Sequence, residues 1–185
     1  MAKTPSNMVP LGTSAQQFSL LNVMTGSKIS LNNAWDSKAT VIMFICNHCP
    51  YVKHVSSELT QLAHDYMPKG VSFLAINSND VEAYPADSPE NMKKTALEQN
   101  YPFPYLYDET QEVAKAYQAA CTPDFYVFDS NLALVYRGQL DDSRPGNDIE
   151  VTGNHLRSAL DSLLANKPIT IEQKPSLGCN IKWKN

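Results

Sequence analysis

A chain of 185 residues with 15 basic and 19 acidic side chains, net charge −4, is long enough for one domain with a sizeable core and too evenly charged to favour nucleic acid or an anionic membrane. No apolar run approaches the roughly 20 residues of a membrane span, and the opening Met1-Ala2-Lys3-Thr4-Pro5-Ser6 lacks the apolar stretch of a secretory signal. Four cysteines are too few for a disulfide scaffold at this length, which points to a reducing, cytoplasmic setting where thiols do chemistry or bind metal.

Residues 1–17 are polar, contain Pro5, Pro10 and Gly12, and read as a lead-in. Residues 18–23 and 29–31, on either side of Met24-Thr25-Gly26-Ser27-Lys28, predict a short hairpin. A connection over 32–38 is expected to hold a helical turn around Trp35. The run 39–45 is apolar almost throughout, as a strand covered on both faces must be. Val52, Val55, Leu59, Leu62, Ala63 and Tyr66 then recur at helical spacing, predicting a helix from about 47 to 66 that Pro68-Lys69-Gly70 stops. A second buried strand is predicted at 71–77 and a polar loop rich in Asp and Pro at 78–89. There follow a helix at 91–99, a strand at 105–107 and a helix at 110–120. Strands at 125–129 and 133–137 flank a turn at Ser130-Asn131. An irregular charged loop (138–152), an amphipathic helix (153–165) carrying Leu156, Leu160, Leu163 and Leu164, and a tail complete the chain. This order implies an α/β domain, a central mixed sheet with helices on both faces.

The chemistry concentrates where the apolar strand hands over to the helix, in Cys46-Asn47-His48-Cys49-Pro50. Cysteines three apart at a helix start can form a disulfide without rearranging the backbone. The unpaired N–H groups and the helix dipole favour a thiolate there. Exchange chemistry then gives Cys46, expected to face solvent, the role of nucleophile and Cys49, expected to lie deeper, that of resolving thiol. His48, if protonated, would favour the Cys46 thiolate further. The alternatives are two packed thiols or half a zinc site, although a second pair of soft ligands at zinc spacing is missing.

A strand ending in CxxC-Pro, a following helix, and Thr122-Pro123 ahead of a β-hairpin resemble the thioredoxin superfamily. Within it they resemble most the redoxin, or peroxiredoxin-like AhpC/TSA, group. The resemblance spans residues 14–165, leaving 1–13 as a lead-in and 166–185 as a tail. It implies a thioredoxin-like fold with an N-terminal β-hairpin extension. It also implies a cis peptide at Thr122-Pro123 facing the thiols, with the backbone of Thr122 and Pro123 receiving an extended partner peptide by strand addition. The chain departs from the family at Thr40, where a buried acid usually serves as proton acceptor, and lacks the Trp that often precedes the first cysteine. That leaves His48, His54 and Asp124 as candidates for moving protons.

The implied activity is thiol–disulfide exchange with protein or low-molecular-weight thiol partners, needing no cofactor beyond the thiols and an external electron donor or acceptor. Two alternatives stay open. A thiol peroxidase would use Cys49 or Cys46 with Cys179 of the tail. Yet the peroxiredoxin-type Thr and Pro upstream of the reactive cysteine are replaced, and Thr122 stands near where that family's arginine would fall. A copper or zinc carrier would use Cys46 and Cys49 with a distant histidine, for which His155 is the candidate. Cys121 reads as a packed thiol, with a third redox thiol or metal ligand as its alternative. Cys179, on a flexible tail beside Ile181 and Trp183, is a possible accessory thiol. Asp141, Asp142 and Arg144 read as a solvated loop.

Overall fold

The computed structural model describes residues 3–31 and 37–184. The helical turn expected around Trp35 lies outside them.

A seven-stranded mixed sheet runs in the order β3-β2-β6-β5-β4-β8-β9. Its middle is β4 (Ala39–Phe44), all six residues of which are buried. β4 is parallel to β5 (Val71–Asn77) and antiparallel to β8 (Asp124–Asp129), so its backbone is paired on both sides. Alternate side chains go to opposite faces of a strand. Val41 and Met43 therefore pack into one core and Ile42 and Phe44 into the other. Two covered faces are the reason the run is apolar without alternation.

Beyond β5, β6 (Tyr105–Tyr107) connects the sheet to the hairpin of β2 (Ser19–Asn22) and β3 (Lys28–Ser30). On the other side β9 (Leu134–Gly138) completes the sheet against β8. One face carries α1 (Pro50–Tyr66), α2 (Pro89–Glu98) and α4 (Asn154–Leu164), which contribute Leu59, Leu62, Met92, Ala96, Leu156 and Leu160 to its core. The opposite face is covered by the short α3 (Glu112–Ala116), the lead-in and the end of the chain, through Val9, Phe18, Val113, Tyr117 and Ile181. The thioredoxin-like fold expected from the sequence is the fold observed.

Three differences from the sequence reading bear on the site. α1 begins at Pro50 rather than near 47, because proline favours the first helical position, and this makes Cys49 the N-cap residue. The lead-in contains β1 (Lys3–Pro5), and the tail contains β10 (Leu177–Asn180). With β7 (Cys121–Thr122) they make a second, three-stranded sheet in the order β1-β10-β7. The tail is therefore no flexible appendage: Ile181 N–H donates to Ala120 at 3.0 Å and Lys182 N–H to Asn79 Oδ1 at 2.8 Å. The loop at 78–89 is likewise ordered by a 3-10 turn, Pro85–Asp87, whose last residue is fully buried. Among the described residues no helix is long and apolar enough to cross a membrane.

Candidate active site

β4 delivers Cys46 and α1 presents Cys49 one step before its first turn, so the dithiol sits where unpaired helix N–H groups converge. Both cysteines carry free thiols in the structure. Opposite them, β7 brings Thr122, and the Thr122–Pro123 peptide is cis. Thr122 touches both sulfurs, its hydroxyl 3.3 Å from Cys46 Sγ and its carbonyl oxygen 3.3 Å from Cys49 Sγ.

The thiols share their protons unevenly. Cys49 accepts hydrogen bonds from the Cys46 thiol, from the thiol and backbone N–H of Cys179, and from Val52 N–H, all opposing the burial that raises it. Against these stands one acceptor, the Thr122 carbonyl, which would take a proton from Cys49. Donors outnumber acceptors, so Cys49 is held below the ordinary thiol range. Cys46 is pushed well above it by its hydrogen bond to Cys49, by burial and by the charge of Asp87, with the Thr122 hydroxyl pulling the other way. This sharing favours the thiolate on Cys49, whereas the sequence reading expects it on Cys46. Residue 49 is the N-cap of α1, and the charge of the Asp87 carboxylate bears on Cys46.

That carboxylate is the site residue the sequence reading missed. Asp87 is fully buried and grips the two residues between the cysteines: Asn47 N–H donates to Oδ1 at 2.7 Å and His48 Nδ1 to Oδ2 at 2.6 Å. Asn79 adds a third donor at 2.8 Å. Burial alone would raise Asp87, but the bonds from His48, Asn79 and Asn47 outweigh it and hold the acid below its ordinary range. Asn47 is fixed further by Ala86 O at 2.8 Å and by the Tyr105 hydroxyl at 3.0 Å. His48 stacks on the half-exposed Tyr84, ring centroids 5.3 Å apart. The prolines at 85 and 89, which pin this turn, were the one available hint that a loop aspartate is held in place.

His48 is thus engaged through Nδ1 by Asp87. Its Nε2 is the one buried side-chain nitrogen or oxygen without a partner among the described residues. Cys46, His48 and Asp87 bring a sulfur, a nitrogen and an oxygen within 4.8 Å of one another, a donor set that a divalent cation could use. This is not the set read from the sequence: His155 is held by Gln139 at 3.2 Å and Asp142 at 3.5 Å and joins no such cluster.

A further correction concerns access. Cys46 is 2% exposed and Cys49 0%, so the expected solvent-facing first cysteine is covered. The turn at 84–87 packs on one side and β10 on the other, and neither was visible as local sequence pattern.

The remaining candidates sort by position. Cys179, on β10, lies opposite Thr122 and bonds to Cys49. Cys121 is buried with its thiol 3.7 Å from Pro123 O, and burial pushes it up. Asp124 is fully enclosed, raised by burial, and bonded to the Tyr126 hydroxyl at 3.0 Å. His54 bonds to Ser143 Oγ at 2.7 Å. Asp141, read as solvated, is buried and accepts from Ser143, Thr152 and Gly153 N–H groups, ordering the loop ahead of α4. The chain's three arginines, 137, 144 and 157, bond to Gln173, to Gln139 and to Glu58 and Asp65 respectively, and none bonds to a sulfur.

The geometry has counterparts among known proteins. An uncharacterized conserved protein from Geobacillus kaustophilus is 67% identical, with all of this chain and 97% of that one covered, at a TM-score of 0.97. A hypothetical protein from Sinorhizobium meliloti 1021 is 46% identical over 98% of both chains, at 0.95. A putative thiol:disulfide interchange protein DsbE from Chlorobium tepidum is 17% identical over 84% of this chain and 98% of its own, at 0.67, a likeness of fold. A search of curated proteins gives no match. Residues 11–137, from the lead-in through β9 and including both cysteines and Thr122–Pro123, match the AhpC/TSA family, and the chain belongs to that family.

Proposed function

We propose that the chain is a thiol–disulfide oxidoreductase whose Cys46–Cys49 dithiol exchanges with disulfides of protein or low-molecular-weight partners in a reducing, cytoplasmic compartment. It would act as one domain, with neither nucleic acid nor membrane as partner. One observation carries the reading: two free thiols at a helix N-terminus share Thr122 of the cis Thr122–Pro123 peptide, its hydroxyl 3.3 Å from Cys46 Sγ and its carbonyl oxygen 3.3 Å from Cys49 Sγ.

The proton inventory suggests the steps. Cys46 takes the attacking role, so a partner disulfide must be brought to this buried sulfur. Cys46 attacks one sulfur of the partner disulfide while its proton passes along the S–H···S bond to Cys49, which then donates to the Thr122 carbonyl 3.3 Å away. The partner's other sulfur leaves as a thiolate and takes a proton from solvent. Cys49 next attacks Cys46, its proton passing to the partner sulfur that departs from Cys46. The Cys46–Cys49 bond forms, the mixed disulfide breaks, and the second partner thiol is released. Two electrons have passed to the partner, and an external dithiol, or two monothiols that leave as their own disulfide, restores them. His48 and Asp87 position the Asn47–His48 segment and so the spacing of the sulfurs.

A Cys49→Ser variant, which cannot resolve, should accumulate partners bound through Cys46, while Cys46→Ser traps none at that position. Trapping through Cys49 alone would reverse the roles. Rapid peroxide consumption by wild type that survives loss of Cys46 would replace this reading with a peroxidase. A second reading rests on the Cys46–His48–Asp87 cluster, a bound copper or zinc ion. Stoichiometric metal in protein purified under reducing conditions, lost in Cys46→Ser, would support it.

A further inference from the structure

The position beside cis-Pro123 that an extended partner peptide would pair with is taken by the chain's own end. β10 runs antiparallel to β7 with Cys179 opposite Thr122 and Asn180 opposite Cys121, and β1 covers the far side of β10. The approach is so close that a Cβ on Gly178 would stand 1.9 Å from the Thr122 carbonyl oxygen, so only glycine fits there. The next residue is Cys179, 3% exposed, whose thiol donates to Cys49. Cys49 therefore has one thiol beside it from just past β4 and another from β10, each as a hydrogen-bond donor. Ser176 Oγ on Pro123 O at 2.6 Å and Ile181 N–H on Ala120 O at 3.0 Å fix the strand on both sides of Cys179.

We propose that Cys179 is the third redox thiol of this site and moves the disulfide from Cys46–Cys49 to Cys49–Cys179. The inference rests on the dithiol reading above. Starting from the oxidised pair, Cys179 loses its proton and its sulfur attacks Cys49. The Cys49–Cys179 bond forms, the Cys46–Cys49 bond breaks, and the departing Cys46 sulfur takes up the proton. One thiol and one disulfide stand on each side, so no further oxidant is consumed. The electrostatics change in the right sense. Burial raises the Cys179 thiol, and while Cys49 is a thiolate its hydrogen bond and charge add to that. In the disulfide that charge is gone, and the favourable influence of Lys182 on a Cys179 thiolate remains. The transfer returns Cys46 as a free thiol and pins β10 to the residue that caps α1, so the chain holds one oxidation internally while Cys46 is reduced again.

The test uses the full chain. Wild type, Cys46→Ser and Cys179→Ser are each oxidised with oxidised glutathione, quenched in acid, alkylated and mapped by peptide mass spectrometry. Cys46→Ser should yield a Cys49–Cys179 linkage as its main product, wild type both linkages, and Cys179→Ser only Cys46–Cys49. Cys46→Ala repeats the measurement with an apolar replacement in the buried site. Glutathione retained on Cys49, with Cys179 alkylated, in both Cys46 variants would overturn the proposal while Cys46–Cys49 in Cys179→Ser left the dithiol reading standing. Absence of the Cys46–Cys49 linkage from Cys179→Ser would overturn both.

Discussion

The two ends of helix α1 use the same materials for opposite purposes. Toward its C-terminus, Glu58 and Asp65 hold Arg157 of α4 at 2.7 Å each, and the Tyr66 hydroxyl donates to Asp161 at 2.7 Å. Donors and acceptors match there, and the result is a clamp between two helices. At its N-terminus, Asp87 and His48 pair at 2.6 Å with equal directness, yet His48 Nε2 is left without a partner and three thiols compete for protons around Cys49. A buried network that is fully matched rigidifies; one with protons left to move is a place for chemistry.

Substitutions can break this contrast. The largest loss of stability is expected for Asp87→Asn, which leaves three donors facing a neutral amide and should cost about 3 kcal/mol in denaturant unfolding. Because folded Asp87 titrates below an unfolded aspartate (about 3.9), its contribution is present in full above that value and is lost as pH falls through the folded one. The variant should therefore show a shallower acid slope. The same change removes a negative charge from beside Cys46, so its thiol should ionise more readily, read from the ultraviolet absorbance of the thiolate.

Arg157→Met should cost about 2 kcal/mol by loosening α4 from α1. It should leave the thiolate titration where it is in wild type, and a shift in that titration would show that the two ends of the helix are coupled. Tyr66→Phe, which deletes one hydroxyl donor to Asp161, should cost about 1 kcal/mol in the same unfolding assay, again with unchanged thiols.

What could be read from the sequence was whatever local pattern controls. The strand of Val41 and Met43, the helix spacing from Val52 to Tyr66, the CxxC at their junction and the hairpin after Thr122–Pro123 all express periodicity or a short motif. Long-range pairing leaves no such mark. β1 is three residues long and ends in proline, and β10 is four residues containing a glycine, so neither shows a strand's alternation; they exist because each supplies the other's backbone partners. Asp87 was hidden for the same reason: its partners Asn47 and His48 lie some forty residues away, and burial of an acid cannot be inferred until those donors are in place. The coverage of both sulfurs follows from these two unseen elements together.

The pairing of β1 with β10 also bears on handling the protein. Lys3 lies across from Cys179, so the first and last strands of the chain converge on the reactive sulfurs. A segment fused ahead of β1 or beyond β10 would be joined to strands that pack at these sulfurs, and reactivity measured on such a fusion would report the appended segment as well as the protein. Tag-free material, or a tag inserted at the exposed turn of the β2–β3 hairpin around Gly26, keeps the thiols in their own surroundings.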